Sequence, residues 1–249
     1  ICRDPEKAMR NLAGIADGFL SHDRPIHNRC DDSVVVVRGG HTHMIRRARG
    51  YVPEPVVLPR SAPPIFATGA DLKNAACVTR GDEAFLTQYI GDLSFLETER
   101  FFVEAADRLC RFLNVQPQLV AHDLHPDMVS TRKAIEIAAA NGVSGDRVIG
   151  IQHHHAHIAA TMAEHGLMGP VIGVALDGSG FGPDGTIWGG EFLKVDETGF
   201  RRLGHIVPVA QPGGDRAAVE IWRMAVSWLI ASFGPEEAMS AARQVLPEL

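Results

Sequence analysis

Apolar residues recur at helical spacing over residues 5–21 (PEKAMRNLAGIADGFLS), and Pro5 stands at the start, so a helix is predicted there. A polar loop, HDRPIHNRCDDS, precedes a β-branched run, Val34 to Val37, that reads as a strand. Gly39 and Gly40 give a turn, and HMIRRARGY reads as the returning strand. YVPEPVVLPRSAPP holds five prolines, which exclude regular helix and central strand, so residues 53–64 are expected to be a linker.

Beyond it strands and helices alternate. FATGADLKNAACVTRG predicts a hairpin with a tight turn near Leu72–Asn74, and residues 97–113 a strongly amphipathic helix. QLVAHDL reads as a strand, 129–141 as a helix and RVIGIQ as a short strand. HHHAHIAATMAEHG reads as a helix ended by Gly166. PVIGVALDGSG reads as a buried strand entering a Gly-rich turn. TIWGGEFLKV and FRRLGHIVPV follow as strands, and 215–232 as a helix. This alternation predicts the α/β class.

Composition narrows the classes. With 45% hydrophobic and 22% charged residues in 249, the chain can build a core, which excludes global disorder. A net charge of −6 argues against a broad basic surface for nucleic acid. The four cysteines, at 2, 30, 77 and 110, form no C-x-x-C pair, so a reducing cytoplasm is the default expectation. The apolar runs are too short for a bilayer, and no signal peptide is visible. The opening at Ile1 suggests a piece of a longer protein.

Five of the twelve histidines lie between 153 and 165. His153 and His157 are four apart and share a helix face, a spacing that can present two imidazoles to one metal. Position 154 is His, not the Glu of a metalloprotease motif, so hydrolytic zinc chemistry of that kind is not supported. The bland alternative is a polar helix start with solvated histidines. Asp177, at the carboxyl end of a strand, would make a mixed nitrogen–oxygen site with the pair. The glycines after it could bring backbone N–H groups to a phosphate, or could simply serve a hairpin turn. Lys73 in its tight turn could meet a phosphate or be solvated. HDLHPD at 122–127 could line the same cleft. In PGGD, Gly213 and Gly214 could face an anion, unless Asp215 merely caps a helix. Arg46, Arg47 and Arg49, beside Asp31, Asp32 and Ser33, suit phosphate recognition or a protected strand edge. No Ser–His–Asp or Cys–His nucleophile, Walker loop or dinucleotide fingerprint is present.

Taken in order, HDRPIHNRCDDSVV, RRARGYVP, LKNAACVTRGDEAFLTQYIGDL, HDLHPD, IQHHHAHIAATMAEH, LDGSGFGPDGTIWGGEF and PGGD resemble the hydrogenase maturation carbamoyltransferase family HypF over nearly the whole chain. The resemblance implies the end of a YrdC-like α/β domain with its Pro-rich linker over 1–60. It implies the N-terminal part of an actin-like (sugar kinase/Hsp70-type) ATPase and carbamoyltransferase domain over 61–249. Carbamoyl phosphate and ATP would give a carbamoyl-adenylate. The carbamoyl group would pass to the C-terminal cysteine of a HypE-like acceptor protein, toward the cyanide ligand of [NiFe]-hydrogenase. His153, His157 and Asp177 would be metal ligands for zinc or iron, with magnesium accompanying ATP. Lys73, Asn74, Gly178 and Gly180 would lie near nucleotide phosphates. Ser33, Arg38, Arg46 and Arg47 are weaker carry-overs for the adenylate site. No membrane and no nucleic-acid partner is implied.

The chain departs from the family pattern after PGGD. AAVEIWR stands where A-x-R-E-P-W-R is usual, with Val219 and Ile221 in place of Arg and Pro. The second actin-like subdomain, with a further acidic ligand and most of the adenosine pocket, is expected beyond Leu249. Two rival readings remain. One is a related carbamoyl- or threonylcarbamoyl-transferase of the same superfamily. The other is a non-catalytic metal-binding docking module.

Overall fold

A computed structural model describes residues 2–245. The chain opens with α1 (Pro5–Leu12), capped by Asp4, whose carboxylate accepts from the Lys7 N–H. The helix stops there instead of reaching residue 21. Glycine lowers helix stability, and Gly14 and Gly18 stand in the next turns. No α1 side chain is fully buried to offset that cost. β1 (Val34–Arg38) and β2 (His41–Arg46) form an antiparallel ribbon. Gly39 and Gly40 turn it at φ +58° and +80°, as a tight hairpin requires.

The expected linker is corrected: it contains β3 (Val56–Ala62), an edge strand. Its prolines do exclude a central position. Pro59 lies within a register shift between Val57 and Ala62, where the ladder needs no proline N–H. β4 (Ile65–Ala67) and β5 (Cys77–Leu86) follow, then α2 (Leu96–Leu113), β6 (Leu119–Asp123), α3 (Val129–Ala140) and β7 (Val148–Ile151). The sheet order is β3-β5-β4-β6-β7. β5 runs antiparallel to β3 and β4, while β4, β6 and β7 are parallel. α2 buries Phe102, Ala105, Ala106, Leu109 and Leu113 against Phe66, Val78 and Phe85 of the sheet. Phe102 meets Phe66 edge-on, centroids 6.5 Å apart. α3 buries Ala134 and Ala138 against Val120 of β6.

α4 (His153–Glu164) joins this sheet to the next, packing against β3 and against the strands that follow it. Those are β8 (Val171–Ala175), β9 (Gly180–Phe181), β10 (Ile187–Trp188), β11 (Glu191–Asp196) and β12 (Gly199–His205). β8, β11 and β12 form an antiparallel sheet whose inner face buries Leu193, Val195 and Ala175 under Ile158 and Met162 of α4. The expectation of a buried β8 holds for one face only. Ile172 and Val174 alternate outward and are more than half exposed.

The predicted helix over 215–232 is two: α5 (Arg216–Val219) and α6 (Trp222–Phe233), before α7 (Pro235–Val245). The break is at Glu220, φ −92° and ψ 74°, whose carboxylate takes Arg216 from one side and Arg223 from the other. Asp215 precedes α5 without a side-chain capping bond. Ile221 has φ −55°, within the range proline fixes, so this backbone would also accept the proline that the resemblance leads one to expect. Among the described residues no helix is long and apolar enough to cross a membrane.

Candidate metal centre

The site forms where β6, the start of α4 and the turn after β8 converge. Gln152 caps α4 by accepting the His155 N–H, which places His153 in the first turn. One turn on, His157 stands on the same face. Its Nε2 lies 3.2 Å from His153 Nε2. Asp177 Oδ2 comes within 2.9 Å of His153 Nε2 and 3.3 Å of His157 Nε2. These three ligand-type atoms lie within 4.8 Å of one another. Two imidazole nitrogens and a carboxylate oxygen facing a common point must share a proton or a cation. The nitrogen–oxygen set fits a divalent zinc- or iron-type ion.

A second carboxylate backs the first histidine. Asp123, the last residue of β6, has Oδ2 2.7 Å from His153 Nδ1. Its Oδ1 accepts the His125 N–H at 2.9 Å. Burial pushes the Asp123 carboxyl up, but His153 and the His125 N–H hold it below its ordinary value. The bond to Asp123 holds His153 above its ordinary value, against the opposing effect of burial and with help from Asp177. Burial likewise raises Asp177, and the Gly178 N–H with both histidines brings it lower than usual. His154 points into the protein, fully buried, and burial lowers its basicity.

The turn behind Asp177 is tightly built. A Cβ on Gly180 would meet His154 Cε1 at 2.7 Å and His153 Cβ at 2.8 Å. Gly180 therefore permits close approach of the turn to α4. Gly178 has open space around it and donates its N–H to Asp177 Oδ1 at 2.7 Å. The Gly190 N–H donates to the Asp177 carbonyl. Glu191 is fully buried, accepts the Gly189 N–H and takes Arg202 in a two-pronged ion pair.

The residues singled out as phosphate contacts have distinct surroundings. Lys73 occupies the tight turn at φ +51°, exposed. Asn74 is buried, and its amide donates to the Thr68 and Ala70 carbonyls, tying down the loop that carries Lys73. Gly69 must be glycine: φ is +69° and a Cβ would lie 2.6 Å from the Ala75 carbonyl oxygen. Beside this loop a cavity of about 250 Å³ opens onto His153 and His157. It is lined by Gly69, Ala70, His122, Asp123, His153 and His157, among others.

The basic residues of the first segment lie apart from this cavity. Arg38 pairs with His41 at the tip of the β1–β2 ribbon, and Arg46 with Val34 at its base. At the strand rise this separates them by about 13 Å. Arg46 lies over the Tyr89 ring, and Arg47 donates to the Tyr51 and Glu54 carbonyls. Ser33 Oγ accepts the Ala48 N–H and donates to the Arg49 carbonyl.

Comparison with known proteins now bears on these residues. A model of the HypF Kae1-like domain matches residues 60–164, and one of the carbamoyltransferase Kae1-like domain, second subdomain, matches 173–248. The chain belongs to the HypF family. Carbamoyltransferase HypF2 of Cupriavidus necator is 54% identical over 93% of the chain and 29% of that protein. Carbamoyltransferase HypF of Rhizobium leguminosarum bv. viciae is 50% identical over 92% of the chain and 29% of that protein. The crystal structure of full-length HypF in the phosphate- and nucleotide-bound form superposes with a TM-score of 0.85 at 41% identity, over 93% of this chain and 30% of that one. The crystal structure of T. kodakarensis HypF superposes with a TM-score of 0.91 at 38% identity, over all of this chain and 32% of that one. The chain thus spans about 30% of its relatives' length. The second subdomain begins within the chain, at about residue 173, which corrects the expectation that it lies wholly beyond Leu249.

Sequence reasoning named His153, His157 and Asp177 and expected HDLHPD at 122–127 to line the cleft, as His122 and Asp123 do, without singling out Asp123. Its signal was the HDLHPD motif after a strand. What that signal lacked was the parallel register that sets Asp123 opposite Ile151, two residues before His153.

Proposed function

We propose that this chain is part of a cytoplasmic carbamoyltransferase that uses carbamoyl phosphate and ATP, through a carbamoyl-adenylate. The acceptor would be the C-terminal cysteine of a HypE-like protein, in cyanide-ligand synthesis for [NiFe]-hydrogenase. Residues 1–60 would close a YrdC-like domain and 61–249 open the actin-like one. The observation that carries this reading is the convergence of His153, His157 and Asp177 inside the segment that matches the HypF family.

A divalent ion bound there would supply Lewis acidity toward a carbonyl or phosphoryl oxygen. The chain's own residues do the rest. His153, His157 and Asp177 orient whatever binds at their common point. The small walls of the adjoining cavity, Gly69 and Ala70, leave room for a phosphate- or carbamoyl-sized group. Lys73 offers a point charge at its rim, and the Gly178–Gly180 turn offers backbone near the ligands. The thiol nucleophile comes from the acceptor protein, consistent with Cys77 being pushed up to about 11 by burial and unsuited to attack.

The test is to incubate full-length protein bearing this sequence with ATP, labelled carbamoyl phosphate and the acceptor. AMP formation that requires carbamoyl phosphate, with label on the acceptor's terminal cysteine, is expected. Label on tRNA would favour the threonylcarbamoyl-type reading. No AMP and no label would favour a non-catalytic metal-binding module.

A further inference from the structure

The strongest unassigned feature is the carboxylate behind His153. A neutral imidazole carries one N–H and one lone pair, and only the lone-pair nitrogen can ligate a metal. His153 uses both nitrogens in fixed directions. Nδ1 faces Asp123 Oδ2 at 2.7 Å, and Nε2 faces Asp177 and His157. An ionised carboxylate only accepts, so Nδ1 holds its proton toward Asp123; Nε2 faces a second carboxylate, Asp177 Oδ2, and shares a proton with it until a cation takes that proton's place and uses the Nε2 lone pair.

Asp123 is itself immobilised. It is buried at 7% exposure, and its other oxygen is occupied by the His125 N–H. Thr131 Oγ1 of α3 donates to the carbonyls of Asp123 and His125, pinning the backbone of this turn. α3 is held in its turn by Asp71, which accepts the Val129 and Ser130 N–H groups from the loop before Lys73. The proton position on His153 is therefore set by a chain of contacts that ends in the loop beside the cavity.

We propose that Asp123 is a positioning residue of the metal centre, holding His153 as the Nδ1–H tautomer with Nε2 aimed at the ion. The proposal rests on the metal-site reading of His153, His157 and Asp177. It goes beyond that reading by assigning a residue outside the three-residue cluster that acts through His153. Outer carboxylates of this kind characteristically affect metal affinity by 10–100-fold.

The test uses the full-length protein, its Asp123→Asn variant and its Asp123→Ala variant. Zn²⁺ affinity is measured by competition with a chromophoric chelator. The His153 tautomer is read in metal-free protein at alkaline pH, where the ring is neutral, from its ring ¹⁵N shifts, assigned against His153→Gln. Asparagine keeps the shape but can donate as well as accept, so it removes tautomer selection with the least effect on folding. The expected result is a fall in affinity of roughly 10–100-fold in both variants, with the Nδ1–H signature present in the parent and lost in Asp123→Asn. A parent that binds Zn²⁺ and an Asp123→Asn protein of equal affinity with an unchanged tautomer would overturn the proposal. A parent that takes up neither Zn²⁺ nor Fe²⁺ would overturn the metal-site reading and this proposal with it.

Discussion

His153, His157 and Asp177 come together because a glycine lets two segments approach. At Gly180 a side chain would collide with both His153 and His154, whereas at Gly204 on β12 it would meet nothing within 4 Å. Gly180→Ala should therefore push the Asp177 turn off α4 and weaken Zn²⁺ binding by about tenfold or more, since a site held about 1 Å too loosely loses its function. Gly204→Ala should leave affinity within about twofold, because it adds only a surface methyl. Chelator competition on the pair reads the difference, and equal affinities would contradict the packing role of Gly180. At this scale the sequence was informative where chemistry follows a local period. The four-residue spacing of His153 and His157 needs only a helix. Asp123 was illegible because its partner is 30 residues away and meets it only through strand register.

At the scale of elements, α2 carries two kinds of anchor. Its buried face holds Phe102, and Phe102→Ala should cost about 3–5 kcal/mol in chemical denaturation, as for other fully buried aromatics. Its outer face holds Glu104, where Arg3, Arg29 and Arg108 gather at 2.5, 2.7 and 2.7 Å. Burial pushes this carboxyl up, but the three guanidinium groups hold it below its ordinary value. Glu104→Ala should remove the carboxylate partner of three arginines and loosen residues 2–33 on α2, leaving the Lys7–Glu97 and Asn28–Arg108 contacts. Its cost should be about 1–2 kcal/mol, because the cluster is partly exposed. Limited proteolysis should show earlier cleavage in 13–33, and an unchanged cleavage pattern would contradict the anchoring role. The elements from α2 through β7 were legible because their apolar periods are long and bounded by turn residues. β3 was missed since its prolines mask an edge strand. α1 was overextended since periodicity ignored the cost of Gly14 and Gly18. The split between α5 and α6 turns on ion pairs at Glu220, which a hydrophobic pattern does not register.

Across the whole molecule, α4 is the element that makes one site out of two sheets. It packs on β3 of the first and on β8 and β11 of the second, and its first turns carry His153 and His157 to meet Asp177 from the turn after β8. Burial raises the Cys77 thiol of β5 and the Cys110 thiol of α2 from 9.0 to about 11, with Asp107 adding to the second. A thiol whose proton is held more tightly in the folded state stabilises the fold below the unfolded value and loses that contribution as pH rises through the folded one. Stability should thus fall between about pH 9 and pH 11, and Cys77→Ala should flatten that fall in urea titrations. The α/β class was readable from the alternation of periods alone. The division of the second sheet into an inner and an outer face was not, because the run from Val171 to Ala175 looks uniformly apolar.

The central claim is that His153, His157 and Asp177 hold one metal ion. It is tested most directly by elemental analysis of the purified full-length protein and its His153→Ala/His157→Ala variant. About one equivalent of zinc or iron in the parent, absent from a folded variant, is the result expected. A parent without metal, or a variant that retains its full equivalent, would contradict it.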